Sequence, residues 1–237
     1  MDWRLKQWSL IFLAFIVGVC LIAFPTLAQQ SQVRQAYGHT HVDPKVIELV
    51  QNLQQGGYAL FFRHERTALD RLRDQRPYDL NNCTGQRMLS PAGIEASKEI
   101  GQAFKRLNIP VAEVLSSPLC RTKDTAKFAF DQVSVTKQLM GEDRDIQRSR
   151  IEVGNDLKQL VNQRIVAGKN LVLVGHFGSS LALDRVLSEG EALVLKPASQ
   201  GQVQIMGQIT SAQWGDVVRD IARLKKASTS AHSSVEF

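Results

Sequence analysis

Leu171-Val172-Leu173-Val174 is the stretch that most constrains this chain, because it is apolar at every position. Successive side chains of a strand point to opposite faces, so such a run is stable only where both faces are covered. That is the condition of a parallel sheet wrapped by helices. The surrounding pattern agrees. Short apolar runs of strand type at 58–62, 113–115 and, weakly, 133–135 alternate with stripes at helical spacing. The first stripe, Val46, Leu49, Val50 and Leu53, opens at Asp43-Pro44 and stops at Gly56-Gly57. The second, Ala96, Ile100, Ala103, Phe104 and Leu107, opens at Ser90-Pro91. Helices are also expected over 121–130, through Leu157, Leu160, Val161 and Ile165 up to Gly168, over 179–187 and over 212–224. Segments 192–195 and 203–209 flank Pro197 and Gly201 as a late hairpin. The expected fold class is α/β, a three-layer sandwich whose mostly parallel sheet is flanked by helices and carries an antiparallel edge.

A chain of 237 residues can bury one full hydrophobic core and is too short for two generous ones, so a single domain is expected over 43–224. Residues 225–237 are rich in Ser, Thr and Ala and are expected to form a disordered tail. The formal charge of +6 comes without a long Lys/Arg run or interleaved aromatics, which argues against nucleic acid as a partner. A small anionic substrate fits the same excess of positive charge.

The first 28 residues follow the three-part pattern of a secretory signal peptide: Arg4 and Lys6, then 15 uncharged residues over 10–24, then Pro25-Thr26-Leu27-Ala28 as a cleavage region before Gln29. The apolar stretch is shorter than the roughly 20 residues of a spanning helix. An uncleaved anchor is the alternative, and only then would the chain hold to a membrane. A lipoprotein reading through Cys20 is discounted because Val17-Gly18-Val19 lacks the small residue required just before the Cys. Residues 29–42 are a polar linker. Cleavage removes Asp2, Arg4 and Lys6, taking +1 from +6 and leaving +5. The expected localisation is periplasmic or otherwise exported.

Once Cys20 leaves with that segment, Cys83 and Cys120 remain. In an oxidising compartment they are expected to form one bridge, the alternative being two separate buried thiols.

In a parallel α/β sheet, ligands bind beyond the carboxyl ends of the strands. Arg63 and His64 follow the first strand run, Ser116-Ser117-Pro118 and then Arg121 follow the second, and Gly175-His176 follows the apolar run at 171–174. Two Arg and two His thus converge on one edge. A phosphoryl dianion suits the planar donor fork of Arg. A neutral imidazole can attack phosphorus, and neighbouring cations disfavour its protonation. A second His can donate to a phosphoryl oxygen, and neither metal nor cofactor is required.

Three segments carry a family resemblance: Phe62-Arg63-His64-Glu65-Arg66-Thr67, Ser116-Ser117-Pro118-Leu119-Cys120-Arg121-Thr122-Lys123-Asp124-Thr125-Ala126, and Val174-Gly175-His176-Phe177-Gly178. In order and spacing they resemble the motifs of the histidine phosphatase superfamily, which includes the cofactor-dependent phosphoglycerate mutases. The likeness runs from about residue 58 to 195. It implies that His64 is the phosphorylated nucleophile and that Arg63, Arg121 and His176, with Thr67, bind the phosphoryl oxygens. Among subgroups, exported lipopolysaccharide core heptose-phosphate phosphatases are the most similar. The implied partner is a small phosphorylated substrate, such as a sugar or lipopolysaccharide phosphate.

Glu65 departs from the family, because it stands where Gly or Ala usually follows the His and so places a carboxylate and a larger side chain beside the nucleophile, either without blocking attack or by crowding His64. For the proton donor Glu142 is the nearest match by position, with Glu65 and Asp79 as alternatives. The charged stretch 66–76, with Arg66, Arg71, Arg73 and Arg76 against Asp70 and Asp74, is expected to overhang the site. Other chemistries fail on spacing. Cys83 precedes Arg87 by four positions where a cysteine phosphatase needs a wider loop, no Gly-x-Ser-x-Gly elbow is present, and no His/Cys cluster has zinc spacing. Two rivals to a phosphatase remain: a non-catalytic phosphate-binding module and a phosphomutase.

Overall fold

The computed structural model describes residues 42–70, 73–76, 79–142 and 147–233, with side chains up to residue 223. The expected signal peptide and all of the linker except Val42 lie outside these residues.

Among the described residues the sheet has six strands: β1 (Ala59–Arg63), β2 (Val111–Ser116), β3 (Ser134–Val135), β4 (Asn170–Gly175), β5 (Ala192–Pro197) and β6 (Val203–Ile209), in the spatial order β3-β2-β4-β1-β5-β6. From β3 to β1 the pairings are parallel, and the hairpin of β5 and β6 adds the antiparallel edge beside β1. Alternation along the strands sorts the core into two layers. Leu60, Phe62, Val172 and Val174 face α1 (Pro44–Gln55), α2 (Pro91–Arg106), α3 (Cys120–Phe130) and α6 (Gln213–Ser233). Ala59, Phe61, Leu171 and Leu173 face Val153, Leu157, Leu160 and Val161 of α4 (Arg150–Arg164). The result is the expected α/β sandwich, and among the described residues no helix is long and apolar enough to cross a membrane.

Local chemistry sets the helix starts. Asp43 accepts a hydrogen bond from the Lys45 amide ahead of Pro44, Ser90 accepts from Gly93 ahead of Pro91, and Ser149 with Glu152 forms a reciprocal capping box on α4. Two helices differ most from expectation. The helix expected over 179–187 is instead the short α5 (Phe177–Leu181), because Asp184 takes a left-handed φ of 54° and the Arg185 amide closes back on the Ser180 carbonyl. The last helix runs past residue 224 to Ser233. With Lys225, Lys226 and Ala227 leading on, this stretch contains neither Gly nor Pro to end a helix.

Cys83 and Cys120 are bonded, with Cα atoms 5.8 Å apart. The bridge clips the long insert between β1 and α2 onto the first residue of α3. At its neck, Thr67 and Leu89 form an isolated bridge and the Ser90 amide donates to the Arg66 carbonyl. Farther out, the Gln86 side chain accepts from the Cys120 amide and donates to the carbonyls of Asp79 and Asn82. Closing this 37-residue separation stabilises the fold by up to about 4 kcal/mol in the loop-entropy model. Reduction should therefore lower the urea midpoint by a corresponding margin, and in protein cleaved after residue 28, which lacks Cys20, intact mass after alkylation should change only when reductant is present. Two thiols alkylated without reductant, or an unchanged midpoint, would contradict the bridge.

Candidate active site

Strand register brings the site together. Arg63 pairs with Gly175 across β1 and β4, and Ser116 pairs with Val174 across β2 and β4, so the carboxyl ends of the three strands stand at one level. Gly175 can have no side chain, because a Cβ there would lie 2.7 Å from the Phe61 ring. His64 and His176 follow immediately, with ring centroids 5.7 Å apart. Arg121 joins them from the first turn of α3. A cleft of about 220 Å³ is lined by Arg63, His64, Arg121 and His176, together with Asp74, Arg76 and Arg87 of the insert and Glu142 after β3. A larger hollow of about 380 Å³ lies at the amino ends of the strands, but Phe104, Ile109, Val111 and Phe130 make its wall mostly apolar.

His64 is buried, and its Nδ1 lies 2.9 Å from the Glu65 carbonyl oxygen. A carbonyl can only accept, so the ring proton sits on Nδ1 and the lone pair on Nε2. Burial pushes the His64 pKa down to about 3. Arg121 is the next cause, the Glu65 carbonyl pulls the other way, and Arg63 and Arg87 lower it further. Neutral imidazole is thus the form present at neutral pH. His176 is held well below the usual imidazole range, first by burial and then by Arg121, His64, Arg63 and Arg87. Its Nδ1 faces Arg121 Nη2 at 3.5 Å, and its Nε2 lies 2.8 Å from Ser117 Oγ. A serine hydroxyl can donate or accept, so this ring can exchange tautomers when an anion takes the guanidinium.

The cations are held in place. Arg63 Nη1 donates to the Leu187 carbonyl at 2.8 Å while its guanidinium lies 5.2 Å from the Phe177 ring centroid. Burial lowers its pKa, against the pull of Glu189. Arg121 Nη1 pairs with Asp74 Oδ1 at 3.0 Å. Glu189 Oε1 lies 3.5 Å from Arg87, 3.8 Å from Arg63 and 3.9 Å from His64 Nδ1.

The other expected site residues divide between the cleft and its surroundings. Thr67 donates to Glu189 Oε1 at 3.1 Å, accepts from Arg87 Nη2, and does not line the cleft. Glu142 does line it, with Oε2 accepting from Arg150 Nε and Nη2. Asp79 is exposed, bonded to the Asn81 amide and the Asn82 side chain, and outside the cleft. Glu65 is fully buried and turned away from the cleft, where its carboxylate accepts from Ser211 Oγ and the Arg66 amide. Gly190 makes that room, since a Cβ there would meet Glu65 Oε1 at 2.1 Å. The carboxylate that replaces the usual small residue therefore does not enter the cleft beside His64. Asp74, Arg87 and Glu189 were not anticipated as site residues. The charge density of 66–76 was a signal for the first, whereas the other two reach the site only through the fold.

No protein-family model and no curated protein matches the chain. Among solved structures it is similar to the protein histidine phosphatase SixA complexed with tungstate, at 16% identity and a TM-score of 0.50 over 66% of this chain and 98% of that one. A mycobacterial glucosyl-3-phosphoglycerate phosphatase follows at 17% identity and TM-score 0.46, over 62% of this chain and 96% of that one. An Entamoeba histolytica phosphoserine phosphatase gives 16% identity and TM-score 0.45, over 65% and 97%. The likeness to the first is one of fold, and that fold is the one the three motifs imply.

Two imidazoles kept neutral in the folded protein regain a pKa near 6.5 when it unfolds, so the unfolded chain binds more protons below that pH. Stability should therefore fall on acidification from about pH 6.5 downward, by up to about 1.4 kcal/mol per pH unit for each imidazole. Urea unfolding at pH 7, 6 and 5 measures this. Equal stability at the three values would contradict buried neutral rings.

Proposed function

We propose that this chain is an exported phosphomonoester hydrolase working through a phosphohistidine on His64. The observation that carries the reading is the His64 ring, which is buried, neutral and bonded through Nδ1, with its Nε2 lone pair left for attack in a cleft lined by Arg63, Arg87, Arg121 and His176. In the first half-reaction a His64 Nε2–P bond forms as the ester P–O bond breaks, and the leaving alkoxide takes a proton. In the second, water attacks phosphorus, the N–P bond breaks, and inorganic phosphate leaves. Arg63, Arg121 and His176 hold the phosphoryl oxygens and stabilise their charge. The fold shared with a histidine phosphatase solved as a complex with tungstate, itself a tetrahedral oxyanion, supports an oxyanion as the kind of ligand this chain takes.

The Cys83–Cys120 bridge and the signal-like N-terminus support export. A sugar phosphate, as in the lipopolysaccharide core, is the substrate class carried by the motif resemblance. Export disfavours a phosphomutase of glycolytic intermediates, which are cytosolic. A non-catalytic module that had lost turnover through Glu65 would need that side chain to obstruct His64, and its carboxylate is instead turned toward Ser211.

His64→Ala should lower kcat by on the order of 10⁴ to 10⁶ while inorganic phosphate still binds. Acid-labile phosphate trapped on wild type during turnover should be absent from that variant. Hydrolysis within tenfold of wild type, or phosphate trapped on Ser116 or Ser117, would overturn the mechanism.

A further inference from the structure

Among the described residues, two carboxylates line the cleft, Asp74 and Glu142, and they are held in different ways. The Glu142 side chain is 41% exposed at the rim, and a single oxygen takes both donors of Arg150, itself 55% exposed. The Asp74 side chain is 10% exposed and sits against Arg121, the cation between it and His176. Asp74 Oδ1 accepts from Arg121 Nη1 at 3.0 Å and from the Arg87 backbone amide at 2.7 Å. Oδ2 makes no hydrogen bond among the described residues. The backbone beside it is pinned, since the Gln75 amide donates to the Gly85 carbonyl at 2.7 Å two residues from the disulfide at Cys83.

Resting on the phosphatase reading above, we infer that Asp74, carried by the insert, is the general acid that protonates the leaving group. A phosphoryl dianion arriving at Arg121 brings negative charge beside the Asp74 carboxylate, which favours the carboxyl holding a proton. With Oδ1 fixed by two N–H donors, Oδ2 is the oxygen that carries it. As His64 Nε2 bonds to phosphorus and the ester bond breaks, the Oδ2 proton passes to the leaving oxygen and Asp74 becomes carboxylate. When water then attacks the phosphohistidine, Asp74 takes the water proton and is returned to its acid form. The disulfide and the Gln86 bonds give the insert the fixed position such a transfer needs.

Leaving-group dependence tests this on the full mature protein. An alkyl phosphate such as glycerol phosphate needs a proton on its leaving oxygen, whereas 2,4-dinitrophenyl phosphate does not. Asp74→Asn should lower kcat/KM on the alkyl phosphate by about 10² to 10⁴ and on the dinitrophenyl ester by less than about tenfold. Retained turnover of the activated ester also reports an intact fold and a competent His64. Equal losses on both esters would reduce Asp74 to a residue that positions Arg121 and overturn the assignment. An unchanged alkyl rate, or the selective loss appearing in Glu142→Gln instead, would overturn it as well. If wild type hydrolyses neither ester, the phosphatase reading itself fails.

Discussion

The pairing of β1 with β4 is the constraint on which the site depends. β1 is bonded on one side to β4 and on the other to β5, and its side chains are buried on both faces. Its carboxyl end therefore has no freedom to shift. The register Arg63 to Gly175 sets His64 beside His176, and the pairing of β2 with β4 brings Ser117 to the His176 ring. A slip of one residue would reverse the faces of Phe61 and Phe62 and turn both core layers inside out. The packing that stabilises the fold is thus the same packing that aligns the chemistry.

The electrostatics follow from what that alignment buries. Burial first, and then the guanidinium groups around them, keep both imidazoles neutral, and those cations also generate a field that must be offset in the resting protein. Asp74 offsets it at Arg121, and Glu189 at Arg63 and Arg87. A buried ion pair of this kind contributes little net stability, because desolvation consumes most of its Coulomb gain. Its effect is to fix the direction of each guanidinium fork in advance of any anion, which is what preorganisation of a charged site consists of.

Those parts of the site that depend on short-range order were legible in the sequence. Arg63, His64 and His176 lie at or next to a strand end and Arg121 in the first turn of a helix, so an apolar run and its boundary locate them. Asp74 and Arg87 lie on an insert whose path is set by a disulfide and by Gln86, which no periodicity reveals. Glu189 meets Thr67 across a separation of 122 residues. The direction of the Glu65 side chain was not legible, because it depends on the open space at Gly190, whose φ is 79°. The short α5 likewise turns on one left-handed residue, Asp184, a conformation the helical stripe around it does not betray.

The central claim is that His64 is a neutral imidazole with its proton on Nδ1 and its lone pair on Nε2 at neutral pH. Nitrogen-15 NMR of the histidine ring, assigned by comparison with His64→Gln, reads both properties at once. At pH 7 the account predicts a protonated-type Nδ1 signal and an unprotonated, imine-type Nε2 signal. A charged ring with both nitrogens protonated, or a neutral ring with the proton on Nε2, would contradict it.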